Sequence, residues 1–241
     1  MAKIVGILGG MGPLATVDLF EKIVESTAAT KDQEHLRIII DNNPQIPSRR
    51  LAITRGTESP LPALIASAQL LENAGVDFIV IPCNTAHYWI DDLQRAVRVP
   101  ILNMITGAAS YVAERFPELS GRVLLFAGAG TVQAKIYQKA FDSFGLQLQL
   151  PTAEEQELVN GAINKVKAGF VANNPLLDQL NAVLKKHASA RVAAVLGGCT
   201  EIPILFPHFI ENLKKLDATA ILAEAVVVEA GCKLAAQPAT V

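Results

Sequence analysis

Val76-Asp77-Phe78-Ile79-Val80-Ile81-Pro82-Cys83-Asn84-Thr85 and Val192-Ala193-Ala194-Val195-Leu196-Gly197-Gly198-Cys199-Thr200-Glu201 are the two stretches on which the fold is read. Each is a short apolar run that stops at a thiol followed by small polar residues. Such runs fit strands covered on both faces, as in a parallel sheet. Each therefore delivers a cysteine to the carboxyl end of a buried strand. The two cysteines recur at nearly the interval that separates Gly10-Met11-Gly12 from Gly128-Ala129-Gly130. Each glycine turn follows a strand-like run and opens a helical pattern. Each half of the chain thus reads as strand, glycine turn, helix, and later strand, cysteine, helix.

Working outward, strand-like runs are expected at 3–8, 36–41, 78–82, 101–103, 123–127, 147–150, 193–196 and 213–216. Amphipathic stretches at 15–29, 62–74, 86–97, 134–144, 153–168, 175–187 and 219–234 lie between or after them. Alternation of this kind predicts an α/β fold. We expect two pseudo-symmetric α/β domains with parallel-rich four-stranded sheets and a site in the cleft between them. The boundary is placed near 103–106. One domain then comprises 1–103 plus 218–241 and carries Cys83, with the last helix packing back on it. The other comprises 104–217 and carries Cys199. Ligands of open parallel sheets sit at the carboxyl ends of the strands, which is where both cysteines and both glycine turns fall.

Composition narrows the function classes. A hydrophobic fraction of 51% against 18% charged residues specifies a folded globular chain. A formal net charge of −2, with no basic block, argues against nucleic acid or an anionic membrane as partner. The apolar runs at 38–40 and 226–228 fall far short of the roughly 18 residues a membrane span needs. The opening residues read as a strand and a turn, not as a signal peptide. Three widely spaced cysteines form neither a disulfide framework nor a zinc motif. A reducing, cytoplasmic setting with free thiols is the expectation.

Two thiols on opposite sides of one ligand suit removal of a proton from one face of a carbon and its return to the other. Reacting atoms approach to about 3–3.5 Å, so the sulfurs should stand roughly 7 Å apart across a carbon. A cysteine just before a helix meets unpaired N–H groups and the positive end of the helix dipole, which is expected to lower its pKa from about 8.5. Asn84, Thr85 and Thr200 are good helix caps, and they also suit a carboxylate whose charge grows in an enediolate-like state. Glu201 either orients Cys199 or holds an ammonium group. Residues 42–50, Asn-Asn-Pro-Gln-Ile-Pro-Ser-Arg-Arg, read as a proline-stiffened loop that aims a guanidinium at a substrate carboxylate. Gly10-Met11-Gly12-Pro13-Leu14-Ala15 fits the short Gly-x-Gly-x-x-Ala pattern of a dinucleotide site, with Asp41 as the acid. That acid comes later than the roughly 20-residue spacing such sites use, and a tight strand-to-helix turn with Pro13 in the first helical turn accounts for the glycines as well. Lys165 and Lys167 sit at a helix end, as ordinary dipole chemistry favours. His87, Tyr88, Trp89 and Cys232 are assigned to packing.

These residues resemble the aspartate/glutamate racemase superfamily, and most closely its aspartate racemases. The resemblance rests on Gly9-Gly10-Met11-Gly12-Pro13-Leu14-Ala15-Thr16, Asp32-Gln33-Glu34-His35, Asn42-Asn43-Pro44-Gln45-Ile46-Pro47, Pro82-Cys83-Asn84-Thr85-Ala86-His87, Val166-Lys167-Ala168-Gly169 and Gly198-Cys199-Thr200-Glu201. It implies two pseudo-symmetric α/β domains, a homodimer, and no pyridoxal phosphate, other cofactor or metal. It implies Cys83 and Cys199 as the catalytic bases, and Arg49 and Lys167 at the side-chain carboxylate of a small dicarboxylic amino acid. Asn84, Thr85 and Thr200 would hold the α-carboxylate, with Met11, Thr131 and Glu201 also in the substrate cleft. The chain keeps both cysteines, so action in both directions is implied. Ser48 departs from the pattern, standing where an acidic residue is common. Glutamate, a hydantoin or a malonate derivative is the alternative substrate within the superfamily. A binding protein that closes on a small acid without turning it over is the alternative outside it.

Overall fold

The structure is a computed structural model that describes residues 2–236. In chain order it runs β1 (Val5–Gly9), α1 (Pro13–Ser26), β2 (Ile38–Asn42), α2 (Arg49–Arg55), α3 (Leu61–Asn73), β3 (Phe78–Val80), α4 (Ile90–Ala96), α5 (Met104–Arg115), β4 (Val123–Ala127), α6 (Ala129–Gln133), α7 (Ile136–Ser143), β5 (Leu148–Gln149), α8 (Ala153–Lys167), α9 (Leu177–Ser189), β6 (Ala194–Gly198), α10 (Glu201–Leu205), β7 (Lys214–Asp217) and α11 (Ala218–Glu229). The strands form two parallel sheets, β2-β1-β3 and β5-β4-β6-β7. The expected fourth strand of the first sheet is a single parallel bridge, Ile79 to Ile101. It stays short because Asn103 already starts a helix: its Oδ1 accepts from the N–H groups of Ile105 and Thr106. With that bridge counted, both halves share one strand order, and β1 and β4 are the equivalent central strands.

Period-two alternation assigns the faces. Val5 and Ile7 of β1, Val123, Leu125 and Ala127 of β4, and Ala194 and Leu196 of β6 all enter one inner core with residues of α1, α5, α7 and α11. Leu8, Ile79 and Ile81 face an outer core under α3 and α4. Leu124, Phe126 and Val195 face another under α8, α9 and α10. The central runs β1, β3, β4 and β6 are fully buried as expected, whereas the edge strands β2 and β7 are partly open.

Two helices differ from the expectation. Residues 49–55 form α2, capped by Ser48 Oγ accepting from Leu51 N–H. The polar loop therefore ends at Ser48, and Arg49 and Arg50 are helical. Helix α5 carries no strong propensity signal, since Ile105, Thr106 and Gly107 are poor helix formers. Burial of Met104, Ile105, Ala108, Ala109 and Val112 in the inner core sustains it. Helix α11 packs on α1 and α5, and α5 packs on α7. Past α11 the chain returns to the end of α1, with Ala28 N–H donating to Lys233 O and Ala235 N–H to Ser26 O. Residues 237–241 of the segment expected to join the first half lie outside the described residues. No helix among the described residues is long and apolar enough to cross a membrane.

Glu155 illustrates how the second half is held. It is the third residue of a capping box opened by Thr152, and it also accepts from Lys186 Nζ at 2.8 Å and from His187 Nε2 at 3.0 Å. Burial pushes its carboxyl up, but these hydrogen bonds and the Thr152 N–H overcome that and hold it at about 2. A depressed pKa contributes stability that is present above the unfolded value and lost as pH falls through the folded one. Glu155→Gln, which keeps the capping geometry, is expected to cost about 1–2 kcal/mol at neutral pH. Its thermal midpoint should fall by a few degrees and lose much of its dependence on pH between about 4.5 and 2.

Candidate active site

Strand order places the site. In each sheet the chain leaves the central strand toward one neighbour and later returns on its other side, which makes a crevice at the carboxyl edge. The first crevice lies between the turn after β1, containing Met11, and the segment after β3, containing Cys83. The second lies between the turn after β4, at Gly128–Gly130, and Cys199, which follows β6. The two crevices open into one cavity of about 510 Å³, lined from both halves.

Cys83 is buried, free and extended, and the short helix Asn84–Trp89 starts directly after it. His87 on that helix is fixed from two sides. Its Nε2 accepts from Met104 N–H at 3.1 Å, which leaves the proton on Nδ1, and Nδ1 donates to the Cys83 carbonyl at 3.0 Å. Burial lowers its pKa to about 4. The imidazole is therefore a neutral pin between the cysteine turn and the start of α5, with no free nitrogen to act as a base.

The two residues after Cys83 are held by the second half. Tyr137 Oη donates to Asn84 Oδ1 at 2.5 Å, and Thr85 Oγ1 pairs with Thr131 Oγ1 at 2.9 Å. Asn84 Nδ2 is buried and has no partner among the described residues. Gly130 lets the walls approach here: a methyl group there would stand 3.1 Å from Arg50 Cα and 3.3 Å from Thr85 Cγ2.

Cys199 has a different environment. Its thiol donates to Glu201 Oε2 at 2.9 Å, and Thr200 Oγ1 donates to the same oxygen at 3.3 Å. Lys167 Nζ stands 3.6 Å from the other carboxylate oxygen. The expected lowering of the thiol pKa is reversed at Cys199. Burial and then the Glu201 charge push it well above its ordinary value, and Lys167 only partly opposes them. The dipole argument fails because α10 has only five residues, and a buried carboxylate accepts from the thiol directly. Burial works against the charge of Lys167, but Glu201 and the two thiols lift its pKa overall.

Nine of the ten residues singled out in the sequence line the cavity: Met11, Arg49, Cys83, Asn84, Thr85, Lys167, Cys199, Thr200 and Glu201. Thr131 does not; it is wholly buried and spends its hydroxyl on Thr85. Arg49 lines the cavity with a committed fork. Nη1 donates to Ile46 O and Pro47 O at 3.0 Å, Nη2 reaches Met11 O at 3.3 Å, and the buried Nε is unpartnered. It ties the proline loop to the β1 turn. Both guanidinium-bearing residues of the 42–50 stretch, Arg49 and Arg50, line the cavity; sequence reading missed Thr54 and Arg55 on α2, which line it too. It missed Glu157, Asn160 and Asn164 on α8 as well. With Lys167 these follow helical spacing along one face, a signal visible only once Lys167 is known to face the cleft. Among the described residues no cluster of His, Cys, Asp and Glu has the makings of a metal site.

Residues 8–226 match the model of the Asp/Glu/hydantoin racemase family. The chain is similar to the solved aspartate racemase of Picrophilus torridus, with 33% identity over 97% of this chain and 96% of that one and a TM-score of 0.86. It is also similar to an aspartate racemase homologue of Pyrococcus horikoshii, with 28% identity over 96% and 100% of the two chains and a TM-score of 0.76. A curated relative, the broad specificity amino-acid racemase RacX of Bacillus subtilis, is 26% identical over 92% of this chain and 96% of its own.

The opposed charges around Cys199 give a test of sign. Glu201→Gln removes the charge that raises the thiol, so the pH midpoint for alkylation of Cys199 should move down. Lys167→Met removes the charge that lowers it, so the midpoint should move up. Iodoacetamide labelling read peptide by peptide in a mass spectrometer separates Cys199 from Cys83 and Cys232. Shifts of the same sign in both variants would contradict the arrangement.

Proposed function

The chain belongs to the Asp/Glu/hydantoin racemase family, and from that premise we propose that it interconverts L- and D-aspartate with Cys83 and Cys199 as the two bases and without a cofactor. The observation that carries this reading is that both thiols line one cavity, each delivered by an equivalent strand end of a repeated topology. In the resting site Cys199 keeps its proton, donated to Glu201, and so serves as the acid. The Cys83 thiolate removes the α-proton: the C–H bond breaks, an S–H bond forms, and the electron pair moves into the α-carboxylate. Cys199 then gives its proton to the opposite face, and its S–H bond breaks as the new C–H bond forms. In the reverse direction the thiols exchange roles: Cys199, left as the thiolate by the forward step, takes the α-proton, and Cys83, left as the thiol, gives its proton to the other face.

No electron sink stabilises the carbanion, so the growing carboxylate charge must meet fixed donors in a site that excludes water. Asn84 Nδ2 is such a donor. The side-chain carboxylate is assigned to the basic wall. Lys167 and Arg49 belong to it as the resemblance implies, and Arg50 and Arg55 line it too. That wall favours an acidic substrate over a neutral one. Thr85 and Thr200 flank the α-carboxylate, and Met11 and Glu201 complete the lining, while Thr131 supports Thr85.

The domain reading, 1–103 with 218–241 and 104–217, is supported by α11 lying on α1 and α5 lying on α7. Each of these helices packs with the half other than the one whose fourth strand it follows. A homodimer in a reducing cytoplasm completes the proposal; the three free thiols are in keeping with such a compartment.

Incubation with L-aspartate in deuterium oxide should place deuterium at the α-carbon and generate D-aspartate. Cys83→Ala and Cys199→Ala should each reduce racemisation by about 10³-fold or more, because each step then lacks its acid or base. Near wild-type turnover in either variant would exclude the mechanism. In a panel of amino acids, kcat/KM should be highest for aspartate, and Arg50→Ala should raise KM for the dicarboxylates alone. Equal kcat/KM for neutral amino acids would instead support a broad-specificity enzyme.

A further inference from the structure

One buried side chain touches the turns that carry both thiols. Tyr137, in the first turn of α7, is wholly buried, and its ring packs beside Phe141 at 6.2 Å between centroids. Its hydroxyl reaches Asn84, the residue after Cys83, at 2.5 Å. On its other side lies the turn of the second thiol: a methyl group at Gly198, the residue before Cys199, would stand 3.1 Å from Tyr137 Cε2.

The hydrogen-bond direction follows from what each group needs. A buried hydroxyl proton requires an acceptor, and the Asn84 carbonyl oxygen is the acceptor presented to it. The opposite amide orientation would set an N–H₂ group against that hydroxyl and leave its proton unplaced. So the tyrosine selects one orientation of Asn84. In that orientation the amide nitrogen is turned away from Tyr137, buried and without a partner, on a residue that lines the cavity. Threonines 85 and 131 fasten the next residue across the same boundary.

We infer that Tyr137 is a positioning residue: it holds the Asn84 amide as a donor for the substrate's α-carboxylate and sets the turn of Cys83 against the turn of Cys199. The inference rests on the racemase reading above. Tyr137 has no contact with the reacting carbon in this role and transfers no proton. Its own hydroxyl is raised far above the working range by burial, and by the charges of Asp217 and Cys199.

Tyr137→Phe removes one oxygen and keeps the ring. Loss of a fixed donor from a developing oxyanion costs about 10²–10³ in kcat, and a donor loosened rather than deleted should cost roughly tenfold. We expect Tyr137→Phe to lower kcat about tenfold with a smaller change in KM, because the carboxylate charge grows toward the transition state. Asn84→Ala should lower it further, and the double variant should be no slower than Asn84→Ala alone, since both act through one amide. The pH–rate profile of Tyr137→Phe should keep the wild-type shape. Additive losses, a displaced pH limb, a rate within about twofold of wild type, or a chain too destabilised to assay would each overturn the inference. Absence of α-proton exchange in the wild-type protein with every amino acid tried would instead remove the racemase reading itself.

Discussion

The constraint on which the structure depends is the shared inner core. Two parallel sheets press their inner faces onto one layer made of α1, α5, α7 and α11, and those helices come from both halves of the chain. Helix α11 is apolar nearly all round and buries Ile221, Leu222, Ala223, Val226 and Val227 in this layer, while Val228 stays exposed. Because this layer is close-packed, the sheets cannot slide without opening voids, and the carboxyl edges of β3 and β6 hold a fixed separation. The thiols inherit that separation. The proposed action on two faces of one carbon needs such a fixed span more than it needs any single contact.

The backbone repeat does not extend to the chemistry of the two thiols. The residues one, two and four places after Cys83 are Asn84, Thr85 and His87; those after Cys199 are Thr200, Glu201 and Pro203. The first set supplies a neutral amide, a hydroxyl tied across the cleft and a neutral imidazole pin. The second supplies a carboxylate on the thiol itself. The Cys199 thiol thereby has a buried acceptor for its proton. The pair is symmetric in place and unequal in surroundings, since Cys199 has a carboxylate hydrogen-bonded to its thiol.

How much of this was legible in the sequence follows from which signals are local. Both cysteine turns, the glycine turns and the central strands carry their own periodicity and punctuation, so their positions could be read directly. Helix α5 could not, because its stability comes from burial against α7 and α11 and not from its residues. Helix α2 was hidden by the proline loop that precedes it, so Arg50 was read as loop, and Thr54 and Arg55 were missed. The pKa of Cys199 was misjudged because a rule for long helices was applied at a helix of one turn. The pairing of Tyr137 with Asn84 joins positions 53 apart, and no pattern in either segment announces it.

The unpaired atoms connect packing to selectivity. Arg49 Nε and Asn84 Nδ2 are buried donors without acceptors, each on a residue lining the cleft. A buried polar group left unbonded costs about 1–3 kcal/mol, so these two donors favour an acceptor brought within their reach. On the proposed reading a substrate carboxylate meets that need, and an apolar group of equal size does not. Discrimination in such a site therefore comes less from the strength of the new hydrogen bonds than from the cost of leaving these donors unbonded. The tethers that hold them, Tyr137 on Asn84 and three backbone carbonyls on Arg49, prevent either donor from turning aside to find another partner.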